Sequence, residues 1–240
     1  MISLRDLSAG IYGAWRLAHF DPQGLRYFDS SDAGFWRSFW AAVIAAPAYA
    51  LVVALNLGDG DPPVNLARLV LIEGIAYVMG WTAFPLAMAG VAQKLGRGHH
   101  FTRYIVACNW CGVIEMTAFL PAVAIGAAIP GLSILPALVA LALFGYQWYV
   151  ARLALDVSPV QAVLPVALNF LLGLVISLVA RVLILSGSGM GVVAPTPQAY
   201  LQTGPAQMTE FARVMEGGAV NGRSLETAAR FRTGPASVIR

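Results

Sequence analysis

Five long apolar runs occupy residues 37–186, joined by short connections. An amphipathic stretch precedes them and a polar tail follows. A helix needs about 20 mostly apolar residues to cross a bilayer. The pattern predicts five such spans, over 36–57, 66–92, 101–129, 133–155 and 159–186. The third and fifth exceed what a straight crossing needs, which predicts tilt or interfacial ends. The runs are continuous rather than alternating, so they read as helices and not as barrel strands. The predicted fold class is all-α: a polytopic transmembrane helix bundle of five spans with an N-terminal interfacial amphipathic helix.

That first helix comes from residues 1–20. Leu4, Leu7, Ile11, Trp15 and Ala18 recur at spacings of three and four, with Arg5, Asp6, Arg16 and His19 mostly off the stripe. Two arrangements satisfy this pattern. The helix lies on the inner leaflet with Trp15 at headgroup depth, or it packs on the bundle. Asp21-Pro22-Gln23-Gly24 is a turn signal that ends it. Ser30, Ser31 or Asp32 then caps the first span. The tail from Gly187 carries the linker signals Gly187-Ser188-Gly189 and Pro195-Thr196-Pro197, with a short helix expected over 206–215. The chain thus divides into a cytoplasmic or interfacial segment (1–35), a five-span domain (36–186) and a flexible C-terminal tail (187–240).

Composition sharpens the class. Of 240 residues, 58% are apolar and 11% are charged, and the mean hydropathy is +0.70. Soluble domains run near 45–50% apolar and 25% charged, and a soluble chain this short could not bury so much apolar surface. No apolar stretch precedes Phe39, so the first span is expected to serve as an uncleaved signal anchor.

Charge then orients the bundle. Arg5, Arg16, Arg26 and Arg37 precede the first span, Lys94, Arg97 and Arg103 flank the second connection, and Arg152 stands at the fourth. The first connection has only Arg68, against Asp59 and Asp61, and the third has no charge. Eight basic residues against one place the N-terminus in the cytoplasm and the C-terminus outside. The net charge of +3 reads as positive-inside charge, and no nucleic-acid motif competes with it.

Polar groups inside the spans are the candidate chemistry. Glu73 lies about two turns from the outer end of the second span. Arg181 lies in the same layer of the fifth, so the two are expected to pair if their helices touch. The pair would lock two helices or line a polar path. Alternatively, Arg181 snorkels to the interface. Glu115 stands near the middle of the third span, where a carboxylate must be protonated, paired or wet. Asn109, Gln147 and Asn169 lie from the midplane to the inner half of the third, fourth and fifth spans, fit for interhelical hydrogen bonds or a path through Glu115.

Other features carry less. Cys108 and Cys111 form a C-x-x-C within an apolar helix. Thiolate formation is disfavoured there and no second cysteine pair exists for relay, so inert thiols are expected. His99 and His100 are adjacent and lack further ligands, which argues against a metal site. Lys94 and Arg97 beside them are expected to meet anionic headgroups. Pro47, Pro85, Pro121 and Pro165 punctuate the spans and can kink them. No P-loop, nucleophile elbow, zinc-protease motif or soluble acid/base pair occurs. No catalytic residue and no cofactor is therefore expected.

The layout resembles bacterial members of the Yip (Ypt/Rab-interacting protein) family over about residues 10–186. The resemblance rests on the N-terminal segment, the stretch from Tyr27-Phe28-Asp29 to Gly34-Phe35-Trp36-Arg37-Ser38-Phe39, the short loops, the Asn109-Trp110 pair and the five helices. The Asp-Leu-Tyr-Gly-Pro motif of eukaryotic members is absent, so Rab binding does not carry over. The resemblance implies a non-enzymatic membrane protein that organises membranes or partner proteins. Its expected partners are the bilayer and other membrane proteins or copies of itself, with no nucleic acid. The rival expectation is a small transporter or channel component using Glu115, Glu73 and Arg181.

Overall fold

The computed structural model describes residues 2–57 and 65–188. Asp59, Asp61 and the tail beyond Ser188, with the helix expected at 206–215, lie outside the described residues. Among the described residues the chain is helical: α1 (Leu4–Ala18), α2 (Asp32–Ser38), α3 (Trp40–Leu57), α4 (Leu66–Lys94), α5 (Phe101–Ala128), α6 (Leu135–Leu155) and α7 (Val163–Ser188). Five stretches are long and apolar enough to cross a membrane: Asp32–Leu57, Leu66–Lys94, Gly98–Ala128, Pro130–Leu155 and Val163–Ser186.

Local chemistry sets the boundaries. Ser31 caps α2, its side chain accepting from the Gly34 amide. The first span breaks at Phe39, between α2 and α3. Ser38 Oγ donates back to the Phe35 carbonyl at 2.7 Å, a local bond that competes with the helix ladder and bends it. The fifth helix begins at Val163, not near Pro159. Ser158 and Gln161 bond each other's backbone amides, and the Pro159 carbonyl accepts from the Trp148 indole at 2.8 Å. A turn therefore holds the residues that the apolar run alone assigned to helix.

Basic residues of the second connection are used structurally. Arg103 Nε donates to the Ala154 carbonyl at 2.8 Å, capping the last turn of α6, where the helix dipole favours a cation. Arg97 lies 3.5 Å from Asp156, so it meets a carboxylate of the chain itself rather than only headgroups.

α5 is the hub. It packs against α3 on one side, α6 on another, and α1 and α2 near its start, while α4 and α7 pack along each other. Burial is uneven along the bundle. Leu17, Met88, Ile105, Val106, Val150, Ala154 and Leu155 are fully buried, and all stand at the end that carries α1. Towards the opposite end burial thins to scattered positions such as Val52, Leu69 and Ala180. One end of the bundle is a packed core and the other is not.

Of the two arrangements open to α1, packing on the bundle is the one observed; Leu7, Ile11 and Ala18 of the stripe pack against the core, but the docked face is rotated from the stripe's centre. Gly10, Gly13, Ala14 and Leu17 are buried, while Leu4 and Trp15 are exposed. The reason is distance of approach. The Trp110 indole sits where a Gly10 side chain would be, and Gly13 faces the backbone of Gly24. Only glycine admits contacts this close. Two tyrosines of α6 hold the segment from the other side: Tyr146 Oη donates to the Ala14 carbonyl at 2.9 Å and Tyr149 Oη to the Phe20 carbonyl at 2.7 Å.

Ion pairs fasten the same segment. Arg16 pairs with Asp21, and Arg37 with Asp29 and Asp6. The Asp29 carboxyl is held below its usual value of 3.8, first by the Ser31 amide and hydroxyl and then by Arg37. Asp21 is lowered by the Gln23 amide and by Arg16, and Asp6 by Ser3 and then Arg37. Groups with lowered folded values stabilise above the ordinary carboxyl range, and lose that contribution as pH falls through the lowered values. The α1–α2 segment is therefore expected to loosen below about pH 4 and to be indifferent to pH near neutrality. Limited proteolysis between Phe20 and Asp32 across that range checks this, and equal cleavage at pH 3 and pH 7 would refute it.

Candidate functional site

A cavity of about 830 Å³ lies between α3, α4, α5, α6 and α7. It occupies the half of the bundle that the core leaves unpacked. Its lining towards the end opposite α1 includes Asn56, Leu69, Arg181 and Leu185, from the ends of α3 and α7 and the start of α4. Its floor includes Tyr104, Asn109, Gln147, Val150 and Asn169. At the floor the bundle closes in, with the Phe84 and Tyr104 rings 6.0 Å apart and Tyr104 buried. The cavity thus ends against packed rings at the end that carries α1.

All six intramembrane residues singled out from sequence line this cavity. Three form a chain. Gln147 Nε2 donates to Glu115 Oε2 at 2.8 Å, and Asn169 Nδ2 donates to Gln147 Oε1 at 3.2 Å. One carboxylate and two amides thereby link α5, α6 and α7. Glu115, alone at its depth when only charges are counted, has amide company. Asn109 does different work: its Nδ2 donates to Ser38 Oγ at 2.8 Å, pinning the α2–α3 break to α5.

Glu73 and Arg181 share the cavity and α4 packs on α7, but no ion pair joins them among the described residues. Glu73 Oε2 accepts instead from Tyr49 Oη at 2.8 Å, which ties α4 to α3. Arg181 is exposed. The α4–α7 tie is made nearer the helix ends, where Arg68 Nη2 donates to the Leu183 carbonyl at 2.9 Å. The tyrosine hydroxyl satisfies the carboxylate without desolvating a second charge, a cost that makes buried ion pairs expensive.

Aromatic rings complete the wall opposite Glu115. Tyr77, Trp81 and Phe84 recur on one face of α4 and line the cavity. The Tyr49 and Tyr77 rings are 4.7 Å apart and the Tyr77 and Trp81 rings 6.1 Å apart. Tyr77 Oη donates to the Ala42 carbonyl at 2.6 Å, in the turn preceding Pro47. Sorting by charge and amide had passed over Tyr49, Tyr77 and Ser38. Mid-span tyrosines, whose hydroxyls need partners when buried, were the available signal.

Cys108 and Cys111 are free and both line the cavity, Cys111 buried and Cys108 half-buried. His99 and His100 stack at 3.9 Å in the turn before α5. Among the described residues no group of three or more His, Cys, Asp or Glu is placed to hold a metal. Comparison with protein-family models, curated proteins and solved structures found no match.

Proposed function

We propose that this multi-pass membrane protein, without enzymatic chemistry of its own, takes up a small polar solute from one side of the bilayer into its cavity. The observation that supports this reading is the Glu115–Gln147–Asn169 chain lining an 830 Å³ space between the spans. Intramembrane carboxylates and amides are costly, and they accumulate where a path or site needs them. The charge bias supports an orientation with the packed, α1-bearing end in the cytoplasm of a bacterial cell, so the cavity would open away from it. Passage would require the packed end to part.

Labelling tests the cavity directly. In a background of Cys108→Ala and Cys111→Ala, Ser177→Cys is placed in the lining and Val179→Cys on the exposed outer surface. A small water-borne thiol reagent is expected to modify the first at least about tenfold faster in proteoliposomes, because hydrocarbon excludes charged reagents. Equal rates would mean a lipid-filled groove and overturn the reading.

A second reading keeps the Yip-type role, a membrane protein that organises lipids or partner proteins. It is favoured by the exposed Leu4, Trp15, Phe20 and Trp36 at the α1 end, an apolar and aromatic surface suited to headgroup depth or a partner helix. Crosslinking in native membranes through this surface, with an intact but solute-indifferent cavity, would support it over the first.

A further inference from the structure

We infer that the floor of the cavity is a binding site for an organic ammonium ion, seated between Glu115 and the aromatic face of α4. The inference rests on the cavity being open to solute, as argued above.

The charges come first. Among the described residues, the charged side chains lining the cavity are Glu73, Glu115 and Arg181. Glu73 and Arg181 both belong to the outer layer and offset one another there. Asn169, which marks the floor, lies about 18 Å along α7 from Arg181. The charge of the inner layer is therefore that of Glu115. Its Oε2 accepts from Gln147, and its Oε1 accepts no hydrogen bond among the described residues. The Gln147 oxygen is already taken by Asn169. One carboxylate oxygen is left facing the space.

The aromatic wall meets it at the same level. Trp81 lies eight residues after Glu73, about 12 Å deeper along α4. Its indole stands against Gly112, with Cη2 3.3 Å from where a side chain would begin. Gly112 is one turn before Glu115 on the same face of α5. A cation at Glu115 therefore has Trp81 about one turn of α5 away, with Tyr77 lining the same cavity beside it, and the faces of such rings attract cations.

The donor set selects the kind of cation. Hard metal ions ask for six or more oxygens at short range, and this floor offers one unused carboxylate oxygen beside the amide oxygens of Asn109 and Asn169. An alkylammonium asks for one anion, π faces and apolar contact. Phe119, Leu143 and Ile176 supply the last, and the volume lies in the range that holds drug-sized ligands.

The test uses the full chain in lipid nanodiscs, with benzyltrimethylammonium as probe and neopentylbenzene as its neutral isostere. Saturable binding of the cation is expected, about tenfold or more tighter than the isostere. Trp81→Leu and Glu115→Gln should each weaken it by a similar factor, while potassium chloride at equal ionic strength should not compete. Equal affinity for cation and isostere in the unsubstituted protein overturns the inference, and needs no variant to fold. Displacement by potassium overturns it too. If Ser177→Cys labels through water while the cation shows no preference, the ammonium site fails and the cavity stands. If neither occurs, both fail.

Discussion

Trp110→Ala is expected to cost about 3–5 kcal/mol of stability and to free α1 from the bundle. Trp110 is buried at 4% exposure, and its indole fills the seam that Gly10 leaves open. Removing it deletes a large apolar surface at the hub helix and leaves a void that the glycine face of α1 cannot fill. Equilibrium unfolding in mixed micelles reads the stability loss. Protease cleavage within residues 4–27 reads the undocking. Gly10→Val should produce the same cleavage from the other side of the contact, by overpacking. Continued protection of α1 in Trp110→Ala would show that the tyrosine hydrogen bonds and the ion pairs hold it without the indole, contrary to this account.

Gln147→Leu is expected to cost about 1–3 kcal/mol, because it leaves two polar groups without partners. Glu115 loses its one hydrogen bond and Asn169 loses its acceptor. Interhelical hydrogen bonds in membranes average only about 0.6 kcal/mol when one bond is removed cleanly. The larger figure follows from a carboxylate left without that bond in the middle of a span. A double-mutant cycle decides between the two scales. In a Glu115→Leu background the cost of Gln147→Leu should fall by about half or more, since the orphaned carboxylate is gone. Strict additivity would mean that the chain stores no coupling.

The spans were legible because apolar length in a bilayer has so few alternatives. Their edges were less so. Hydropathy runs through Phe39 and Pro159, whereas Ser38, Ser158 and Gln161 divert the backbone by side-chain bonds that hydropathy does not weigh. The polar lining was legible as a set, since Glu73, Glu115, Arg181, Asn109, Gln147 and Asn169 all reach one cavity. The pairing within it was not. Opposite charges in one layer pointed to Glu73 with Arg181, but Tyr49 was the cheaper partner for the carboxylate. A lone sequence gives depth along each helix and leaves rotation about each axis undetermined. The docked face of α1 shows the same limit: the stripe of large residues suggested a surface, and the closest contact is centred on Gly10, Gly13, Ala14 and Leu17, with Leu7 and Ile11 at its edge.

The seam between α1 and the hub also has a consequence in time. Its fastenings join Ala14 to Tyr146 and Phe20 to Tyr149, separations of 132 and 129 residues. At ribosomal rates of about 5–20 residues per second, the N-terminal helix emerges roughly 6–26 s before its receptors exist. During that interval Gly13 can rest on the turn at Gly24, but the Tyr146 and Tyr149 hydroxyls that fasten Ala14 and Phe20 are absent. Docking of α1 is then a closing step of assembly, possible only once α6 has been inserted beside α5. A nascent chain with α1 still loose is one whose later helices have yet to find their places.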